Sequence, residues 1–133
     1  MFLIDTNVWL ESPLAQERAD EVDCFLAGAD TETLATTDFA LHSIGLILTR
    51  LGRADLLSRF VTDIAREPGI RVLTVPPLEL PKVPDLSTQF GLDFDDAYQY
   101  LAAQVHGCTL ISFDAHFDRT DLRRKTPADA ATI

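Results

Sequence analysis

Basic residues are scarce in this chain: 11 Lys and Arg stand against 21 Asp and Glu, a formal net charge of −10. A protein of that sign does not hold a polyanion by bulk attraction, so a nucleic-acid partner must be met by a local basic patch or through metal ions. Long apolar runs are missing as well. None approaches the roughly 20 residues of a membrane span, and the balance of 47% hydrophobic to 24% charged residues is that of an ordinary globular chain. A soluble protein without membrane contact is expected. The first residues lack a basic segment, a long apolar stretch and a small-residue cleavage site, so the cytoplasm is the expected location. Only two cysteines occur, Cys24 and Cys108. Both lie in apolar contexts without a CxxC or a His pair and read as buried free thiols. No repeat or low-complexity tract divides the 133 residues, which fit one domain, 1–133.

What is present alternates between strand and helix patterns. Phe2-Leu3-Ile4 is too short for a helix and does not alternate, as in a strand buried on both faces. Ser12-Pro13 then predicts a helix start, with the helix running to about Ala27 and stopped by Gly28. Residues 32–36 read as a short strand, and Thr37 as the cap of a well-buried helix from Asp38 to about Leu51. Arg53 to Arg66 is a third amphipathic helix closed by Pro68-Gly69, and Arg71 to Val75 a third strand. Four prolines between Pro76 and Pro84 predict a connecting loop, followed by a short helical turn capped by Ser87 and ended by Gly91. Asp93 to about Val105 is a strong helix, Cys108 to Phe113 the last buried strand, and the residues from Asp121 onward a charged, weakly patterned tail. Four β-segments separated by helices predict an α/β fold with a parallel sheet flanked on both faces.

In such a sheet the carboxyl ends of the strands and the amino ends of the following helices share one edge. Asp5 ends the first strand, Asp114 ends the last, and Asp96 lies in the first turn of the helix between them. Three distant carboxylates therefore converge on one edge. Gathered like charges stay ionised only around a cation. Mg²⁺ or Mn²⁺ suits an all-oxygen site, and the chemistry best supported there is phosphoryl transfer by a metal-activated water. Thr6, Asn7 and Ser112 can orient that water or contact a phosphate oxygen, and can equally serve as turn and strand-end caps. Asp93, Asp95 and Asp96 also suit a helix start without any function.

FLIDTN, GLDFDDAYQYLAA and TLISFDAHFD together resemble the PIN domain, a small α/β nuclease domain whose largest bacterial group is the VapC toxins of toxin–antitoxin pairs. The resemblance covers nearly the whole chain in the expected order. It matches the family's first acid to Asp5, the Asp-Ala helix opening to Asp96-Ala97, and the strand-end (Thr/Ser)-x-Asp-x-x-Phe pattern to Ser112, Asp114 and Phe117. It implies a three-layer α/β/α fold with a mostly parallel sheet of four to five strands. It further implies a Mg²⁺- or Mn²⁺-dependent endoribonuclease with Asp5, Asp96 and Asp114 as metal-holding catalytic acids, a homodimer, an RNA substrate and a VapB-like antitoxin.

One departure stands out. The family carries a Glu about six residues after the cap of the second helix, and here that position is Ser43. Asp38 is a displaced candidate, about 7.5 Å away along a straight helix, and also a natural helix-start acid. His42 is a candidate ligand for a softer metal or a partly buried structural side chain. Asp118 and Asp93 are candidate supporting acids. Arg119, Arg123, Arg124 and Lys125 form either a basic patch or a charged tail. Two competing readings follow. A haloacid-dehalogenase-type phosphatase would need a second Asp two residues after Asp5, where Asn7 stands. A PIN-like binding or assembly module with weakened catalysis would fit the missing acid and the negative surface.

Overall fold

The computed structural model describes residues 1–66 and 69–131, so Pro68 of the expected helix stop lies outside the described residues. Four parallel strands, β1 (Phe2–Ile4), β2 (Leu34–Thr37), β3 (Arg71–Leu73) and β4 (Thr109–Ile111), form one sheet in the order β3-β2-β1-β4. A parallel bridge from Ile111 to Lys125 extends the β4 edge. Side-chain alternation sends Leu3, Ala35 and Leu110 to one face and Ile4, Leu34 and Ile111 to the other. The first face is covered by α5 (Lys82–Phe90) and α6 (Phe94–His106). The second is covered by α1 (Thr6–Glu11), α2 (Ala19–Gly28), α3 (Asp38–Arg50), α4 (Ala54–Ile64) and the short α7 (Pro127–Ala131). Two apolar cores on the two faces of one sheet are the expected three-layer α/β/α arrangement.

The strand order places the functional edge. From β1 the chain steps outward through β2 to β3, then crosses back to lay β4 on the other side of β1. The crevice between the carboxyl ends of β1 and β4 is therefore the topological switch point, where open α/β sheets take their ligands.

Several expected boundaries move, each for a local reason. α1 begins directly at the end of β1, with the Asp5 carboxylate accepting the Thr6 N–H at 2.9 Å. Ser12 thus closes a helix instead of opening one, and α2 starts only at Ala19. The proline-rich segment does not exclude helix: Pro77 opens a 3-10 turn and Pro84 sits in the first turn of α5. A missing N–H is harmless there because first-turn amides have no intrahelical partner. Ser87 lies within α5 and donates its hydroxyl to the Leu92 carbonyl. Gly91 and Gly107 do end α5 and α6, both in the left-handed conformation at φ 65°.

Residues 31–33 form a 3-10 turn before β2. β3 is an edge strand with Arg71 and Val72 exposed and ends at Leu73, and β4 stops at Ile111. α3 buries only Ala40, Ile44 and Leu48, leaving Leu46 54% exposed, so it is less enclosed than its composition suggests. Cys108 is buried, but Cys24 is exposed on α2. The tail is structured: the Lys125 N–H bonds the Leu110 carbonyl, and α7 packs against α2. Among the described residues no helix is long and apolar enough to cross a membrane.

Candidate active site

Asp5 is fixed by the fold before any ligand is considered. Its backbone N–H bonds the Ile111 carbonyl at 2.9 Å, locking the end of β1 beside β4. The residue is 6% exposed and its carboxylate is held by three hydrogen bonds that leave Oδ2 able to accept once more: Oδ1 accepts from the Thr6 N–H (2.9 Å) and the Gln99 amide (3.1 Å), and Oδ2 from the Ser112 hydroxyl (2.7 Å). Ser112 Oγ accepts in turn from the Asp114 N–H at 3.0 Å and from the Asn7 amide at 3.4 Å. Asn7 Oδ1 accepts the Phe113 N–H at 3.3 Å. Thr6 and Asn7 line the cleft beside Asp5, and Ser112 lies buried beneath it as the joint between the ends of β1 and β4.

Around this centre opens a cleft of about 360 Å³. Asp5, Asp95, Asp96 and Asp114 supply its acids, Ser43 and Gln99 its neutral polar wall, and Leu10, Phe39, Leu46 and Ile47 its apolar wall. Burial raises the Asp5 carboxyl, with a further push from Asp114, against its three hydrogen bonds. Asp96 is pushed up to about 7, first by burial and then by repulsion from Asp114, Asp95 and Asp5, with only His116 opposing. An oxygen of Asp96, one of Asp114 and a ring nitrogen of His116 all lie within 4.8 Å of one another. Asp93, Asp95 and Asp96 make a second such group at the start of α6.

This donor set fits a divalent cation. A carboxyl raised by burial and by three like charges is the group that a cation would return to its ionised form.

The sequence-derived candidates thus separate. Asp5, Asp96, Asp114, Thr6, Asn7 and Ser43 share the cleft, and Ser112 supports it. Asp93 is exposed at its acidic rim. Asp38 and Asp118 do not line it. Asp38 accepts the Tyr98 hydroxyl at 2.7 Å and the Phe39 N–H at 2.8 Å, so it is a helix-start acid. Asp118 is turned to Arg124 in a two-pronged pair at 3.0 and 3.1 Å. His42 is exposed on α3 and does not line the cleft. The basic candidates are partly committed: Arg124 to Asp118, and Arg119 to the Gly91 carbonyl at 2.7 Å.

Sequence reasoning missed Gln99 and His116. Gln99 is 3% exposed, and its carbonyl accepts the Thr37 hydroxyl at 2.6 Å while its amide holds Asp5. The signal was available: Gln99 is a polar residue on the inward face of α6, one turn after Asp96. Gln99→Leu keeps the volume but strands both buried partners. We expect a loss of about 1–3 kcal/mol in denaturant unfolding, and a change below 0.5 kcal/mol would show that the network contributes nothing.

The PIN domain family profile matches residues 2–122. The chain belongs to the PIN domain family. Solved PIN-fold relatives share this architecture at low sequence identity. The chain is similar to Mycobacterium tuberculosis VapC20, described as a sarcin-ricin loop cleaving toxin (15% identity, TM-score 0.80, covering 96% of this chain and 100% of that one). It is also similar to FitAcB from Neisseria gonorrhoeae (18%, 0.70, 96% and 98%). A third similar structure is a toxin-antitoxin complex from Klebsiella pneumoniae (18%, 0.71, 96% and 98%). No curated protein matches the sequence significantly. In this PIN domain, α3 presents Ser43 to the cleft that holds the acids.

Proposed function

We propose that this PIN domain is a divalent-metal-dependent endoribonuclease, the toxin of a toxin–antitoxin pair, with Asp5, Asp96 and Asp114 as its catalytic and metal-holding acids. The observation that carries the reading is the convergence of these three acids, from β1, the start of α6 and the end of β4, in one cleft at the switch point. Bound there, Mg²⁺ or Mn²⁺ lowers the pKa of an attacking water and neutralises charge on the phosphodiester. The chain's own part is positional. Ser112, Gln99 and the Thr6 amide hold the Asp5 carboxylate in one orientation, and the start of α6 presents Asp96 to the same cleft. Thr6 and Asn7 are placed at the cleft to meet a phosphate oxygen or a water.

The partners follow from the same reading: an RNA substrate, a second copy of the chain in a homodimer, and a VapB-like antitoxin. A short antitoxin segment carrying an Arg would neutralise the acids and close the cleft. Relatives described as a toxin and as a toxin-antitoxin complex support this assignment. Controlled expression in a bacterial host, with RNA 5′ ends mapped before and after induction, tests it. Wild type is expected to arrest growth and generate new 5′ ends at one or a few sites, and Asp5→Asn to do neither. Equal growth and identical 5′ ends for both would overturn the toxin assignment.

Ser43 favours a second reading, a PIN-fold binding or assembly module of weakened activity. A cation-dependent rise in melting temperature would weigh against that module, and efficient cleavage of RNA by the purified protein would exclude it.

A further inference from the structure

Ser43 stands at the α3 position that the resemblance assigns to a glutamate, and a nitrogen donor lies beside Asp96 and Asp114, next to the cleft but not among the residues that line it. His116 belongs to the 3-10 turn Ala115–Arg119, which Asp114 caps by accepting the His116 N–H at 2.8 Å. Phe117, fully buried, pins that turn to the core next to His116. His116 Nδ1 thereby comes to 3.2 Å from Asp114 Oδ1 and 3.8 Å from Asp96 Oδ2. Adjacent donors around one cation with bonds of about 2.1 Å stand about 3 Å apart, close to this spacing. Asp5, by contrast, has three hydrogen bonds on its two oxygens and is in neither compact donor group.

We propose that His116, through Nδ1, is a direct metal ligand that takes the place of the missing α3 acid, and that the site accordingly selects borderline transition cations over Mg²⁺. The inference rests on the metal-dependent reading of the cleft given above. Its selectivity follows from ligand chemistry. An imidazole nitrogen adds affinity for Mn²⁺, Co²⁺ or Zn²⁺ in rising order, whereas Mg²⁺ prefers a shell of oxygens and waters. His116 is half-exposed, so its ring has room to adjust to the ion without disturbing the core.

The test reads the metal and not the reaction. Pulsed electron-spin resonance of Mn²⁺ bound to the intact protein reports directly coupled imidazole nitrogen. The expected result is a nitrogen signal in wild type and in a His42→Ala control, lost in both His116→Ala and His116→Asn. Calorimetry should show Mn²⁺ affinity falling at least about tenfold in both His116 variants, a scale that even outer-layer partners of a metal reach, with Mg²⁺ affinity little changed. Mn²⁺ bound with no nitrogen coupling, or a nitrogen signal that survives both His116 substitutions, would overturn the role of His116 and leave the metal-dependent reading standing. Absence of any Mn²⁺ binding at millimolar concentration would overturn both.

Discussion

Replacing Asp96 by Asn is expected to cut metal-dependent RNA cleavage steeply while making the metal-free protein more stable at pH 8. Both effects come from the same crowding. Asp96 stands near Asp114, Asp95 and Asp5, and burial together with that repulsion raises its carboxyl to about 7. A carboxyl whose folded pKa lies above its unfolded value of 3.8 destabilises the fold as it ionises. The cost is absent below the unfolded value, grows as pH rises, and is complete above about 7. Asn never ionises. A displacement of about 3 units at about 1.4 kcal/mol each, roughly halved because the half-buried group is screened by water, means that Asp96→Asn should gain about 2 kcal/mol at pH 8, less at pH 5 and almost nothing at pH 4. Thermal unfolding in EDTA across this range measures it. Added Mn²⁺ should stabilise wild type and not the variant, because a ligand that binds only the folded state raises its stability. Cleavage should fall by about 10³-fold, the scale of several kcal/mol of lost charge stabilisation. A variant that cleaves normally, or a stability difference that ignores pH, would remove Asp96 from the site.

Phe117→Ala is the substitution expected to cost most in stability. Phe117 is fully enclosed in the core between the sheet and α6, and it anchors the turn that carries Asp114 and His116. Truncation of a buried Phe leaves a cavity and costs about 3–5 kcal/mol. For a domain of this size that lowers the melting temperature by roughly 10 °C or more. The metal-dependent rise in melting temperature should shrink as well, since Asp114 in the cleft and His116 beside it lose their anchor. A fall of less than 2 °C would mean that the turn is held elsewhere.

The parts of the fold visible in the sequence were those in which one residue type has one structural use. Asp5, Asp96 and Asp114 were legible because a carboxylate at a strand end or helix start is conspicuous, and the parallel topology then forces such positions onto one edge. Thr37 was legible as a cap, and its hydroxyl does accept the Ala40 N–H at 2.9 Å. α1 was not, because six residues give too little periodicity and Ser12-Pro13 offered a stronger local start signal. α5 was hidden by prolines that are harmless in its first turn. Asp118 was misplaced because nothing in sequence spacing reveals that Arg124 captures it six residues on. His116 escaped notice because its approach to Asp96 depends on a 3-10 turn meeting the start of α6, a contact between segments 20 residues apart.

The most direct measurement is cleavage of a mixed panel of labelled RNAs by the purified protein in Mn²⁺, against the same protein in EDTA and an Asp5→Asn protein prepared identically. The account predicts cleavage of at least one RNA by wild type with metal, and none in either control. Cleavage that persists in EDTA or in Asp5→Asn would contradict it, because the cleft between β1 and β4 would then not be where the phosphodiester is broken.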